Sequence, residues 1–125
     1  MRVILDGMEL SAKLQIKPGS KVAVLAAPAG GPELSGPWDA VASAADADAV
    51  IMFVRNRDEL ESATGPALDA ARADKLAWIA YPKAGQLGTD LNRDVLARSL
   101  TAAGVQPVRQ IAIDEVWSAL RFRPA

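Results

Sequence analysis

Three short, uninterrupted apolar runs punctuate this chain: Val22-Ala23-Val24-Leu25-Ala26, Ala49-Val50-Ile51-Met52-Phe53-Val54 and Leu76-Ala77-Trp78-Ile79-Ala80-Tyr81. Each is bounded by turn-forming or charged residues, which is how a strand covered on both faces reads. Elsewhere the apolar positions follow helical spacing. Leu60, Ala63, Ala67, Leu68 and Ala71 fall on one side of a helix that Asn56 or Asp58 can cap. Gly65-Pro66 must kink or divide that helix, because proline lacks an N–H and its ring crowds the preceding turn. Leu91, Val95, Leu96, Leu100 and Ala103 make one face of a later helix, with Thr89 or Asp90 as its N-cap and Gly104 as its stop. Val108 to Ile113 and Val116 to Phe122 flank Asp114-Glu115, the pattern of an antiparallel hairpin.

The remaining segments are less regular. Arg2-Val3-Ile4-Leu5 reads as a short strand or a loose tail, and Leu10, Leu14 and Ile16 as a short helix starting near Ser11 and stopped by Pro18-Gly19. The first buried strand extends over Lys21 to Ala27. Gly30 to Pro37 holds three Gly and two Pro, so any helix there is short, and Asp39 to Ser43 fits a short strand as well as a helix. Strands separated by helices imply crossover connections and a parallel sheet. The expected architecture is one α/β domain over residues 1–125. It is a Rossmann-like three-layer sandwich, with helices on both faces of a five- to six-stranded, mostly parallel sheet that ends in an antiparallel β-hairpin.

Composition narrows the chemistry. Half of the 125 residues are hydrophobic and 23% are charged, as in globular domains. Fourteen basic and fifteen acidic side chains give a net charge of -1, which argues against a general polyanion binder and so against nucleic acid, while leaving room for a local basic patch. Cys and His are absent. Thiolate nucleophiles, His general bases and zinc-thiolate sites are therefore excluded. No apolar run approaches the ~20 residues that span a bilayer. Arg2, Asp6, Glu9 and Lys13 break any signal-peptide core near the start. A cytoplasmic protein that does not enter the membrane is expected.

A strand, a helix, a strand ending in Pro82-Lys83, a helix and a hairpin follow one another through Asp48 to Val54, Lys75 to Lys83 and Val108 to Phe122. That succession resembles the later half of the class I S-adenosylmethionine-dependent methyltransferase fold. The resemblance implies a cofactor turn after the first strand and an acidic residue ending the second. This chain has Ala26-Ala27-Pro28-Ala29-Gly30-Gly31 at the first place, and only Asp46 or Asp48 to offer for the second. No cofactor is expected. The chain also resembles a family of small bacterial proteins that form a domain of unknown function. The resemblance is carried by Lys17-Pro18-Gly19 before a strand ending Ala27-Pro28, by Trp78-Ile79-Ala80-Tyr81-Pro82-Lys83, by Thr89-Asp90-Leu91-Asn92-Arg93-Asp94, and by Gln110 to Pro124. It implies a fold and no activity.

In open α/β sheets ligands bind outside the carboxyl ends of the strands. Three loops fall there: Pro28 to Pro37, Arg55 to Asp58, and Pro82 to Asp90. Gly30 and Gly31 let the first pass close to a ligand. Lys83, Thr89, Asp90 and Arg93 place two cations beside a helix N-terminus, a combination that holds phosphate or carboxylate; Arg55 and Arg57 either join the same mouth or, the stronger reading, are solvated loop charges. The competing reading is that Thr89 and Asp90 only cap the helix. Tyr81 reads as a core-edge residue, with a catalytic Tyr-Lys pair with Lys83 as the alternative, and Trp38 and Trp78 read as packing residues. Asp114 and Glu115 are adjacent and without further ligands, so no metal site is expected. Trp117, Arg121 and Arg123 share a strand face by period two and form a candidate interface, for a partner or for a second copy.

The leading expectation is a non-catalytic binding or regulatory module that self-associates or meets an unidentified protein partner. The alternatives are a small enzyme or sensor for a nucleotide or other small anionic ligand at the Lys83, Asp90 and Arg93 mouth, and a divergent methyltransferase. A docking module predicts an exposed apolar patch around the hairpin. A ligand-binding protein predicts a concavity at the strand ends with Lys83 and Arg93 directed inward. A methyltransferase needs an open crevice beside Ala27, not one filled by Pro28 or Trp38.

Overall fold

The apolar runs become the centre of one sheet. The computed structural model describes residues 7–29, 31–32, 34, 36–63 and 65–125. Its elements are α1 (Gly7–Lys13), β1 (Lys21–Leu25), β2 (Asp39–Ala40), β3 (Ala49–Phe53), α2 (Arg57–Ala63), α3 (Gly65–Arg72), β4 (Leu76–Pro82), α4 (Arg93–Thr101), β5 (Val105–Ala112) and β6 (Trp117–Pro124). Single 3-10 turns stand at Ala44–Asp46 and Gln86–Gly88.

The six strands lie side by side in the order β2-β1-β3-β4-β6-β5. β1 pairs in parallel with β2 and β3, and β3 in parallel with β4. β6 is antiparallel to both β4 and β5, so β5 again runs with β4. The expected α/β fold with a mostly parallel sheet and a terminal antiparallel hairpin is therefore observed. One detail exceeds the expectation: the second strand of the hairpin, not the first, inserts beside β4.

Alternation along the strands divides the interior. Val50, Met52, Ala77, Ile79, Tyr81, Leu120 and Phe122 face Leu60 of α2, Ala67 and Ala71 of α3 and Leu96 and Leu100 of α4. Ala49, Ile51, Phe53, Trp78, Ala80, Trp117 and Ala119 face Leu10 of α1, Leu14 and Ile16, with Leu34 and Trp38 packed alongside. Burying a side chain such as Leu14 or Leu96 contributes about 1.5–3 kcal/mol, against about 1 kcal/mol for a helix cap. The two apolar clusters thus decide the fold, and the caps set where its helices begin.

Each connection lies over the face its direction requires. The segment from β1 to β2 moves one way across the sheet and carries Leu34 and Trp38 on the α1 side. The return from β2 to β3 and the crossovers from β3 to β4 and β4 to β5 move the other way, with Ala44, α2, α3 and α4 on the opposite side. All four parallel connections share one hand, as the chirality rule demands.

Several boundaries differ from the sequence expectation. α1 begins at Gly7 rather than near Ser11, and it ends well before Pro18 because Gln15 turns into the left-handed region at φ 61. β1 stops at Leu25, since Ala26 takes φ 57 and breaks the ladder. Gly65-Pro66 divides α2 from α3, as proline chemistry requires. Asp39-Ala40 is a strand, though only two residues long. The hairpin strands reach further than the apolar pattern, from Val105 and to Pro124, with a break in register between Pro107 and Arg109. The expectation for Arg2 to Leu5 lies outside the described residues. No helix among the described residues is long and apolar enough to cross a membrane.

Candidate functional site

The loop after β1 closes on itself. Gly31 N–H donates to the Pro28 carbonyl at 3.0 Å. A Cβ at Gly31 would stand 2.4 Å from Pro28 Cγ. Gly31 is therefore needed because the proline ring lies against it. Gly30 is outside the described residues. Trp38 is half-buried against the α1-side cluster. Asp48 serves the other end of the sheet: its carboxylate accepts the N–H of Lys21 at 3.0 Å, where β1 begins.

The loops after β3 and β4 are stapled together. Thr89 Oγ1 donates to the Arg55 carbonyl at 2.7 Å and accepts from Leu91 N–H at 3.0 Å. The Asp90 carboxylate accepts Arg57 N–H, the first of α2, at 2.9 Å. Asn56 Oδ1 accepts Glu59 N–H at 2.9 Å and is the N-cap anticipated for α2. Glu59 in turn accepts from both the backbone N–H and the guanidinium of Arg55. Neither Thr89 nor Asp90 caps α4. That cap is Asn92, whose Oδ1 accepts Val95 N–H at 2.9 Å. The Thr89 hydroxyl and the Asp90 carboxylate are taken up by the loop after β3 and so do not cap α4.

Lys83 and Arg93 meet elsewhere, in an open groove of about 710 Å³ where the carboxyl ends of β4 and β5 face the N-terminus of α4. Tyr81 and Ser118 reach it from below, and Lys83, Asn92, Arg93, Asp94 and Gln110 surround it. Tyr81 and Ser118 are cross-strand partners on β4 and β6. They are only 2% and 4% exposed, yet both contact the groove. Two buried hydroxyl-bearing residues at its base and two cations at its rim can hold an anionic group and orient the polar atoms beside it. Arg93 is shared, since its guanidinium lies 3.4 Å from Asp94. Burial raises the Tyr81 phenol above its usual pKa, opposed by Arg93 and reinforced by Asp94, so the phenol stays protonated as a donor at neutral pH.

Sequence reasoning named Tyr81, Lys83 and Arg93 but missed Ser118, Asn92 and Gln110. Ser118 carried a readable signal. It is a polar residue in the run Trp117 to Phe122, on the period-two face of Leu120 and Phe122, where an apolar side chain is the norm.

The hairpin residues take different places. Trp117 is 3% exposed and packs edge-on against Phe53 at 5.2 Å, so no indole is offered to a partner. Arg121 Nη1 donates to Gln15 Oε1 at 2.7 Å, and Arg123 pairs with Asp74 at 3.1 Å. The Asp114 carboxylate accepts the N–H groups of Val116 and Trp117 and so builds the hairpin turn. Among the described residues no group of three or more acidic side chains is placed to hold a metal ion. Compared with protein-family models and with curated proteins, the chain matches none.

Proposed function

We propose that this chain is a non-catalytic binding or regulatory domain on a degenerate Rossmann-like fold, and that it takes a small anionic ligand in the groove between β4, β6 and α4. The observation that carries the reading is the convergence of Lys83 and Arg93 on a cavity whose base holds Tyr81 and Ser118. The large apolar side chains exposed among the described residues are Leu87 and Val108, on separate elements, which supports a ligand groove over an apolar docking patch at the hairpin. Pro28 against Gly31 supports a domain with no nucleotide at the end of β1, because a cofactor backbone needs that glycine bare.

A thermal-shift and calorimetric panel of S-adenosylmethionine, nucleotides, phosphate and simple carboxylates tests this. A ligand at one hundred times its dissociation constant stabilises by about 2.7 kcal/mol, several degrees for a domain of this size. Lys83→Ala and Arg93→Ala should each abolish the shift without lowering the melting temperature of the free protein. A panel with no response, or a response indifferent to both substitutions, would sink the reading.

A further inference from the structure

The groove between β4, β6 and α4 grades from neutral at its base to ionic at its rim. At the base, Tyr81 and Ser118 are 2% and 4% exposed, and neither side-chain hydroxyl makes a hydrogen bond with a described residue. Neither is sealed away. Among the described residues the fully enclosed side-chain atom without a partner is Arg121 Nε, on the α1 side of the sheet. The two hydroxyls therefore open into the groove that their residues line. Gln110, exposed and opposite Leu120 on β5, brings a neutral amide to the same side. At the rim stand Lys83, Arg93 and Asp94, the charged residues of the lining. Asn92 takes the Val95 N–H, which leaves those of Arg93 and Asp94, the first two of α4, without a partner among the described residues. Free N–H groups at the start of a helix favour an anion.

We propose, building on the groove as an anion site, that its ligand is a hydroxylated monocarboxylate: a small acid whose carboxylate sits at the rim and whose hydroxyl groups reach the base. Depth fixes the orientation. A charge driven to the base would be desolvated against neutral hydroxyls alone, whereas at the rim it meets two cations and two free N–H groups. Charge selects carboxylate over phosphate. Two cations against Asp94 leave the lining one positive charge in surplus, and Arg93 is already shared with Asp94 at 3.4 Å. A carboxylate brings one negative charge, while a phosphate monoester brings close to two and would set the second beside Asp94. The base selects a hydroxylated body. Each hydroxyl and the Gln110 amide can both donate and accept, and an apolar chain laid over them would leave buried polar atoms unpaired.

The test is calorimetric titration of the full chain with two matched pairs of acids, D-glycerate against propionate and D-gluconate against hexanoate, and with glucose 6-phosphate. At least one hydroxy acid should bind saturably, about tenfold or more tighter than its plain partner. Ser118→Ala and Tyr81→Phe should each weaken the hydroxy acid about fivefold and leave the plain acid nearly unchanged, while Arg93→Ala should weaken both. Equal affinity within both pairs, or tighter binding of glucose 6-phosphate, overturns the hydroxylated monocarboxylate and leaves the anion groove standing. No saturable binding of either hydroxy acid also overturns it, and the groove itself then stands or falls with the response to the other anions.

Discussion

The Asp90 carboxylate accepts the backbone N–H of Arg57 at 2.9 Å, joining the loop after β4 to the first turn of α2. An acidic residue from a distant segment thus satisfies a helix N–H that has no partner inside the helix. Asp90→Ala should cost about 1 kcal/mol, as loss of a cap does. Urea unfolding should show this as a lower midpoint with an unchanged slope. Ligand binding in the groove should survive, because the groove is lined by Asn92 and Arg93 and not by Asp90.

Tyr81 separates stability from binding. Its hydroxyl has no hydrogen bond to another described residue, so Tyr81→Phe should change stability by no more than about 0.5 kcal/mol. If the phenol orients the ligand, the same substitution weakens binding at the groove. Its pKa is raised on folding, so the native state holds the phenolic proton more tightly than the unfolded chain. That contribution is complete below the ordinary tyrosine pKa of 10.0 and is lost as pH rises through the folded value. The wild type should therefore lose stability above about pH 10 faster than Tyr81→Phe does, in parallel denaturation curves.

Trp78 anchors α1. Its indole N–H donates to the Leu14 carbonyl at 3.0 Å inside the core. A helix of seven residues has little stability of its own. Trp78→Phe leaves that carbonyl unpaired and should cost about 1–3 kcal/mol. Hydrogen exchange should reveal the loss first in residues 10–16, ahead of β3 and β4.

Gly31→Ala would drive a methyl group into the Pro28 ring. Overpacking of this kind costs about 1–3 kcal/mol. Adding Pro28→Ala should restore much of the loss, and a double-mutant cycle measures the coupling. Full additivity of the two substitutions would contradict the described contact.

The parts of this fold that were legible are those whose burial is continuous. β1, β3 and β4 announce themselves because both faces are covered, and the hairpin because Asp114 marks its turn. The division at Gly65-Pro66 follows from proline's missing donor. The cap of α4 was misplaced because Thr89 and Asp90 have the right chemistry for a cap, while their side chains are engaged by Arg55 and Arg57, more than thirty residues away in the chain. Trp117 was placed at a surface on its period alone, since the sequence does not say that α1 covers that face of β6. The Ser118 side of the groove escaped for a related reason. Tyr81 and Ser118 are brought together only by the insertion of β6 beside β4, a pairing between residues far apart in the chain.

The two borders of the sheet set how copies of this protein can meet. At one border β2 offers two residues, and at the other Pro107 and the register break beside it interrupt β5. Neither gives an incoming backbone a long straight ladder to extend. Any assembly of this chain would have to be built through side-chain surfaces and could be dissolved by single substitutions there, whereas a sheet continued from molecule to molecule would be nearly indifferent to them.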